Sequence, residues 1–151
     1  VGRLIKDKGV FDAIECFRTL ISRGWDLNLK LAGESYKNNP SSLTVDEIDK
    51  LKGEFGSRIE FLGFVSDISK CYQKSNILIL PSKREGFPVC VMEASASGLP
   101  SISYDVPGCR DAISSGVNGK LVEYGNTLAL ADTIEELFCL ETLSSYRKSC
   151  I

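Results

Sequence analysis

The stretch Asn76-Ile-Leu-Ile-Leu80, continued by Pro81-Ser-Lys-Arg-Glu-Gly-Phe-Pro-Val-Cys-Val-Met-Glu-Ala-Ser-Ala-Ser-Gly98 and Leu99-Pro-Ser-Ile-Ser-Tyr104, decides how this chain folds. Its first part is a continuous apolar run, as in a strand buried on both faces. A turn containing Gly86 and Pro88 follows. Pro88 to Ser97 reads as a helix, and Pro100 to Tyr104 as the next strand. A strand, a helix and a strand in this order argue for parallel pairing.

The same alternation extends outward. Apolar residues at 11, 14, 17, 20 and 21 predict a helix from Phe11 to Arg23, ended by Gly24. Leu27 to Leu31 alternates like a strand and stops at Gly33. A helix lies within Pro40 to Gly56, with Thr44 as its N-cap ahead of Asp46 and Glu47. Arg58 to Leu62 is a short strand, and Ser66 or Asp67 caps a short helix through Tyr72. Pro107 to Ser114 is a short helix, Gly119 to Val122 a small strand, and Leu128 to Leu140 an amphipathic helix. Val1-Gly-Arg-Leu4 reads as the end of a strand running into the polar loop Lys6-Asp-Lys-Gly9. The chain is therefore expected to be a fragment of a longer protein. The predicted fold is one Rossmann-like three-layer α/β/α domain over residues 1–151, with a parallel sheet. Such sheets bind ligands beyond the carboxyl ends of their strands. The loops there are Arg3–Gly9, Gly33–Tyr36, Gly63–Ser66, Ser82–Pro88 and Asp105–Gly108.

Composition narrows the function. With 151 residues the chain can bury one real core. A net charge of −2 gives no reason to expect a nucleic-acid partner. Cys16, Cys71, Cys90, Cys109, Cys139 and Cys150 show no C-x-x-C spacing, and there is no histidine. A metal site is not expected, and the cysteines read as free thiols of a reducing cytosol. No apolar run approaches the ~18 residues of a membrane span, and no signal peptide is visible. The expected location is the cytoplasm.

Two carboxylates stand out, Glu85 in the turn and Glu93 in the helix after it. Between them lies a helix N-terminus, where free N–H groups of Val89 and Cys90 and the positive dipole end suit a phosphate. The flanking carboxylates suit hydroxyl groups. Sugar, diphosphate and ribose have that layout. Gly86 permits close backbone approach to a ligand. Arg3 and Lys8 flank the first loop beside Gly9 and suit a diphosphate, although two solvated surface cations would look the same. Neither G-x-x-x-x-G-K-[ST] nor G-x-G-x-x-G is present, which removes support for a P-loop or a dinucleotide site. Gly63-Phe-Val65 could face a nucleobase, although Phe64 by itself reads as core. Glu93 stands in an otherwise apolar segment, where a charge needs a partner or a purpose.

With Val1-Gly-Arg-Leu, Lys8-Gly9, Leu31-Ala-Gly33, Phe61-Leu-Gly63, Leu80-Pro-Ser82, Glu85-Gly-Phe, Glu93-Ala, Gly98-Leu-Pro100 and Gly116-Val-Asn-Gly-Lys-Leu-Val122 in place, the chain resembles the C-terminal domain of the "group 1" retaining glycosyltransferases (family 4, GT-B fold). The resemblance covers nearly the whole chain. It implies that Arg3 and Lys8 bind the donor diphosphate and stabilise the leaving nucleotide. It gives Glu85 to the donor sugar and Glu93 to the ribose hydroxyls. Gly86, Phe87, Val89 and Cys90 match the loop at sugar and phosphates, and Gly63, Phe64 and Val65 the loop near the base. Ser35, Pro88 and Asp111 depart from the family pattern.

The implied enzyme is a metal-independent hexosyl- or N-acetylhexosaminyltransferase using a nucleotide-sugar, by default UDP-linked. The glycan or lipid-linked acceptor would be held by an N-terminal domain, so the fragment alone is expected to be inactive. Polysaccharide biosynthesis is the implied setting, and any peripheral membrane association of the full-length protein would be at the inner face of the cell membrane. A non-catalytic nucleotide-binding or regulatory module and one half of a nucleotide-sugar epimerase remain alternatives. An NAD-dependent enzyme ranks lowest.

Overall fold

A computed structural model describes residues 1–138. The expected helix beyond Phe138, with Cys139 and Cys150, lies outside the described residues. A 3₁₀ turn at Lys6–Lys8 leads into α1 (Val10–Ser22). Then follow β1 (Leu29–Ala32), α2 (Val45–Phe55), β2 (Ile59–Gly63), α3 (Ser69–Gln73), β3 (Leu78–Leu80) and α4 (Val89–Ala96). The described elements end with β4 (Ser101–Tyr104), α5 (Pro107–Ala112), β5 (Gly119–Val122) and α6 (Thr127–Phe138).

Every pairing between these strands is parallel, as the alternation predicts, but the hydrogen-bonded ladder comes in two parts. β1 pairs with β2, Leu29 opposite Ile59. β3, β4 and β5 pair in that order, Leu78 opposite Ser101 and Ser101 opposite Gly119. One helix ties the two parts together. Val10, Ile14 and Phe17 of α1 pack with Leu29, Leu31, Phe55 and Ile59. Cys16 and Leu20 of the same helix pack with Leu78, Leu80, Ile102 and Ile134. The apolar stripe seen in the sequence is thus wide enough to serve two clusters, which is why α1 sits astride the sheet. All four residues of β4 are buried. The Ser103 hydroxyl donates to the Leu80 carbonyl at 2.6 Å.

Several boundaries differ from expectation; the strand expected from Asn76 is Leu78–Leu80 and the helix expected to Ser114 is Pro107–Ala112. Val1–Arg3 is not in a strand; the Gly2 N–H donates to the Ala32 carbonyl at 2.8 Å, just at the end of β1. The strand expected at 27–31 is Leu29–Ala32, because Leu27 packs against both clusters instead. The cap of α3 is Ile68, not Ser66 or Asp67. The Asp67 carboxylate accepts from the Ser69 hydroxyl and pairs with Lys70 at the start of the helix.

The Thr44 cap is present as a reciprocal box. The Thr44 Oγ1 accepts from the Glu47 N–H at 3.2 Å, and the Glu47 carboxylate accepts from the Thr44 N–H at 2.8 Å. Thr44→Ala should therefore cost about 1 kcal/mol of stability. Urea unfolding checks this, and an unchanged midpoint would show that the box does not hold the end of α2.

Candidate functional site

Two loops meet above the carboxyl ends of the strands that flank α1. The first is the turn Lys6–Gly9. Gly9 has φ 72° and ends the turn while starting α1. The second is the segment from Pro81 to Pro88. They are stitched by the Lys83 N–H donating to the Asp7 carbonyl at 2.9 Å, and by close contact of Gly9 with Pro81. On this frame the Lys8 ammonium donates to both Glu85 oxygens, at 2.8 and 2.9 Å. The Glu85 side chain is only 10 % exposed, so it is not a free surface acid. An acid so enclosed needs its cation.

Gly108 backs the loop from α5. A Cβ there would fall 2.2 Å from the Gly86 carbonyl oxygen and 2.4 Å from that of Glu85. In the sequence, Gly108 falls in the Asp105–Gly108 loop with nothing to mark this contact. Gly86 is the opposite case: a Cβ on it would meet nothing. The loop is thus braced from within and open on its outer side, as a ligand-facing backbone must be.

Pro88 precedes α4 in extended conformation and gives it no side-chain cap. The first N–H groups of α4, from Val89 and Cys90, have no intrahelical acceptor. They stay available at the positive end of the helix. Burial pushes the Cys90 thiol up, with Glu85 and Glu93 adding to the rise while the Val1 amino group and Lys8 oppose it. The thiol is therefore held protonated rather than activated as a nucleophile.

Glu93 accepts a hydrogen bond from the Tyr72 hydroxyl at 3.1 Å. Burial, and then Cys90 and Glu93, push the Tyr72 phenol up, so it remains a donor. The partner that a charge in this apolar segment calls for is thus Tyr72, although the apolar neighbours of Glu93 do not bury it. The face is open to water: Glu93 is exposed, and Val89 and Met92 are 62 % and 47 % exposed. Tyr72 has no signal in the sequence that would mark it as a site residue, since its partner lies 21 residues away.

A recess of about 310 Å³ is lined by Arg3, Gly33, Tyr36, Phe64, Val65 and Ile68 among others. Phe64 is 79 % exposed, contrary to its reading as core. Gly63, at φ 62°, ends β2 and turns the chain so that Phe64 leaves the sheet. Arg3 is exposed and takes part in no ion pair among the described residues. The structure thus brings Lys8, Glu85 and Gly86 to one loop ahead of α4, which carries Cys90 and Glu93, and Arg3, Phe64 and Val65 to one recess. Phe87, in the Pro81–Pro88 segment, is 53 % exposed. Among the described residues no three His, Cys, Asp or Glu side chains converge as metal ligands. No helix among them is long and apolar enough to cross a membrane.

Comparison with known proteins shows the family of the chain. Residues 1–139 match the family "Glycosyl transferases group 1". The chain is 34 % identical over 143 residues to the capsular polysaccharide biosynthesis glycosyltransferase CapM of Staphylococcus aureus, covering 95 % of this chain and 37 % of that protein. It is 31 % identical over 137 residues to the N,N'-diacetylbacillosaminyl-diphospho-undecaprenol alpha-1,3-N-acetylgalactosaminyltransferase of Campylobacter jejuni, covering 91 % of this chain and 34 % of that one. The pneumococcal O-GlcNAc transferase GtfA, solved with UDP and GlcNAc, superposes with a TM-score of 0.82 at 26 % identity, over 98 % of this chain and 30 % of that one. The chain therefore spans about a third of the length of the relatives it matches.

Proposed function

The chain belongs to the group 1 glycosyl transferases, and on that premise we propose that residues 1–151 form the donor-binding domain of a retaining enzyme with the GT-B fold. The observation that carries the reading is the Lys8–Glu85 pair under an open loop, beside the uncapped N-terminus of α4. A cation, an acid and free helix amides on one short arc suit a diphosphate bound next to a sugar.

In this reading the diphosphate lies across the Val89 and Cys90 amides, with Lys8 and Arg3 on its oxygens. Glu85 accepts hydrogen bonds from sugar hydroxyls, and Glu93 from the ribose. Gly86 and Phe87 border the sugar and phosphates, while Gly63, Phe64 and Val65 border the base. As the glycosidic bond to the donor breaks, negative charge grows on the leaving diphosphate. Arg3, Lys8 and the helix end are already aimed at it, and preorganised donors of this kind usually contribute more to catalysis than any other single effect. The chain's own cations are proposed to do this work in place of a divalent metal.

The donor is proposed to be a UDP-linked hexose or N-acetylhexosamine, supported by the UDP and GlcNAc held by the pneumococcal neighbour. The relatives' names support a glycan or lipid-linked acceptor and polysaccharide assembly. The acceptor site is assigned to an N-terminal domain of the longer protein, so the isolated chain should bind nucleotide weakly and transfer nothing. Calorimetric titration of the full-length protein with UDP, UDP-glucose, UDP-GlcNAc, GDP-mannose and ADP-glucose tests this. Saturable binding of UDP and a UDP-sugar is expected. No binding by any of the five would remove the proposal, and binding without transfer would leave a nucleotide-binding module.

A further inference from the structure

Tyr72 and Glu93 are joined across two helices, and the two partners are unequal. Tyr72 is 3 % exposed. Its ring belongs to the core cluster with Leu78, Val91, Ala94 and Ile102, so packing sets its position. Only the hydroxyl reaches the rim, where it donates to Glu93 Oε2 at 3.1 Å. Burial keeps the phenol protonated and therefore a donor. Glu93 stands on the open face of α4. Its other oxygen, Oε1, joins no hydrogen bond or ion pair among the described residues. An unheld glutamate on such a face samples several rotamers. A hydrogen bond from a packed ring narrows the choice.

The place of the pair matters as much as the bond. Glu93 lies four residues after Val89, on the same face of α4. Helical side chains lean toward the N-terminus, so the carboxylate leans back toward the free Val89 and Cys90 amides, about one helical turn (~5.4 Å) away. Tyr72 reaches it from α3, which packs beside α4. We propose that Tyr72 is a positioning residue: its hydroxyl aims the Glu93 carboxylate at the vicinal hydroxyls of a ribose, so that the site selects ribonucleoside over deoxyribonucleoside diphosphate donors. The inference rests on the donor-site reading above. With one bond from Tyr72 on Oε2, the carboxylate is held in one orientation, and Oε1 and the remaining lone pair of Oε2 are left as adjacent acceptors. A vicinal diol supplies two adjacent donors. A 2′-deoxyribose supplies one and leaves an aimed oxygen without its partner, which is how a site built for a hydroxyl rejects the analogue lacking it. A buried phenol needs some acceptor in any case, and a tyrosine that used Glu93 only for that would look the same. It would not make nucleotide affinity depend on the ribose.

The full-length protein is titrated with UDP and with 2′-deoxy-UDP, as wild type, Tyr72→Phe, Glu93→Ala and the double variant. Phenylalanine keeps the packed ring. In the wild type, loss of the 2′ hydroxyl is expected to weaken binding about tenfold, the low end for a hydrogen bond to a charged group. In Tyr72→Phe that ratio should fall to about threefold, with UDP weakened and 2′-deoxy-UDP nearly unchanged. In Glu93→Ala the ratio should vanish, and adding Tyr72→Phe should change it no further, because the tyrosine acts through the glutamate. Donor KM should rise in Tyr72→Phe with kcat held, since the ribose is bound alike in ground and transition states. Fluorine NMR with 3-fluorotyrosine at position 72 removes no contact, and decides the matter should Tyr72→Phe not fold: the signal should shift with UDP and shift less with 2′-deoxy-UDP. The inference is overturned, with the donor site left standing, if Tyr72→Phe keeps the wild-type ratio, if it weakens both nucleotides alike, or if the fluorine signal answers both equally. A wild type that binds neither nucleotide removes the donor-site reading itself, and this inference with it.

Discussion

Lys8→Ala in the full-length enzyme is expected to lower turnover by about a hundred- to a thousandfold, the range for removing one preorganised donor to developing charge. The loss has two parts. A cation leaves the proposed diphosphate position, and Glu85, 10 % exposed, loses the partner bonded to both its oxygens. Glu85→Gln separates the parts. It keeps the shape of the loop while freeing the Lys8 ammonium, so turnover should fall while UDP is held as tightly as before or more so. Arg3→Ala should weaken UDP binding with little change in stability, since Arg3 is exposed and joins no ion pair among the described residues. Steady-state kinetics with UDP inhibition, alongside unfolding midpoints, resolves the three. Wild-type turnover in Lys8→Ala and Arg3→Ala would end the assignment of the leaving-group site to these cations.

The elements are legible in the sequence because their signals are local. Ile77 to Leu80 is apolar throughout and holds the strand Leu78–Leu80; the 3.6-residue stripe of α1 is the bridge between two clusters. Thr44 and Glu47 announce their capping box within one turn. What is hidden is what depends on distant partners. Nothing near Phe64 shows that Gly63 expels it from the sheet. Nothing near Gly108 shows that it must pass within van der Waals contact of the Glu85 loop. Tyr72 reaches Glu93 only because α3 and α4 pack side by side. Glu93 shows the same limit in reverse. Its apolar neighbours suggest burial, but on a short helix at the rim several of them face water.

Gly9→Ala is expected to be the most destabilising single exchange at the site, at about 4 kcal/mol or more. Gly9 adopts φ 72°, and forcing alanine there costs about 1–3 kcal/mol of backbone strain. The larger difficulty is space. The added Cβ would sit 1.8 Å from the Pro81 carbonyl oxygen and 2.4 Å from its carbon, and backbone cannot rotate away as a side chain does. Relief requires the Lys6–Gly9 turn and the Pro81 segment to part. That would break the Asp7–Lys83 bond and draw Lys8 off Glu85, so the fraction that still folds should also lose nucleotide binding. Gly24→Ala supplies the comparison. Gly24 has φ 91°, and its Cβ would meet nothing within 4 Å, so it carries backbone strain without the collision. With whole-domain stabilities of about 5–15 kcal/mol, Gly9→Ala should bring the protein near the edge of folding while Gly24→Ala leaves it well folded. Urea unfolding of the two variants decides the matter: equal losses would mean that the Pro81 contact gives way freely, and that the two loops are not locked in the position from which Lys8 reaches Glu85.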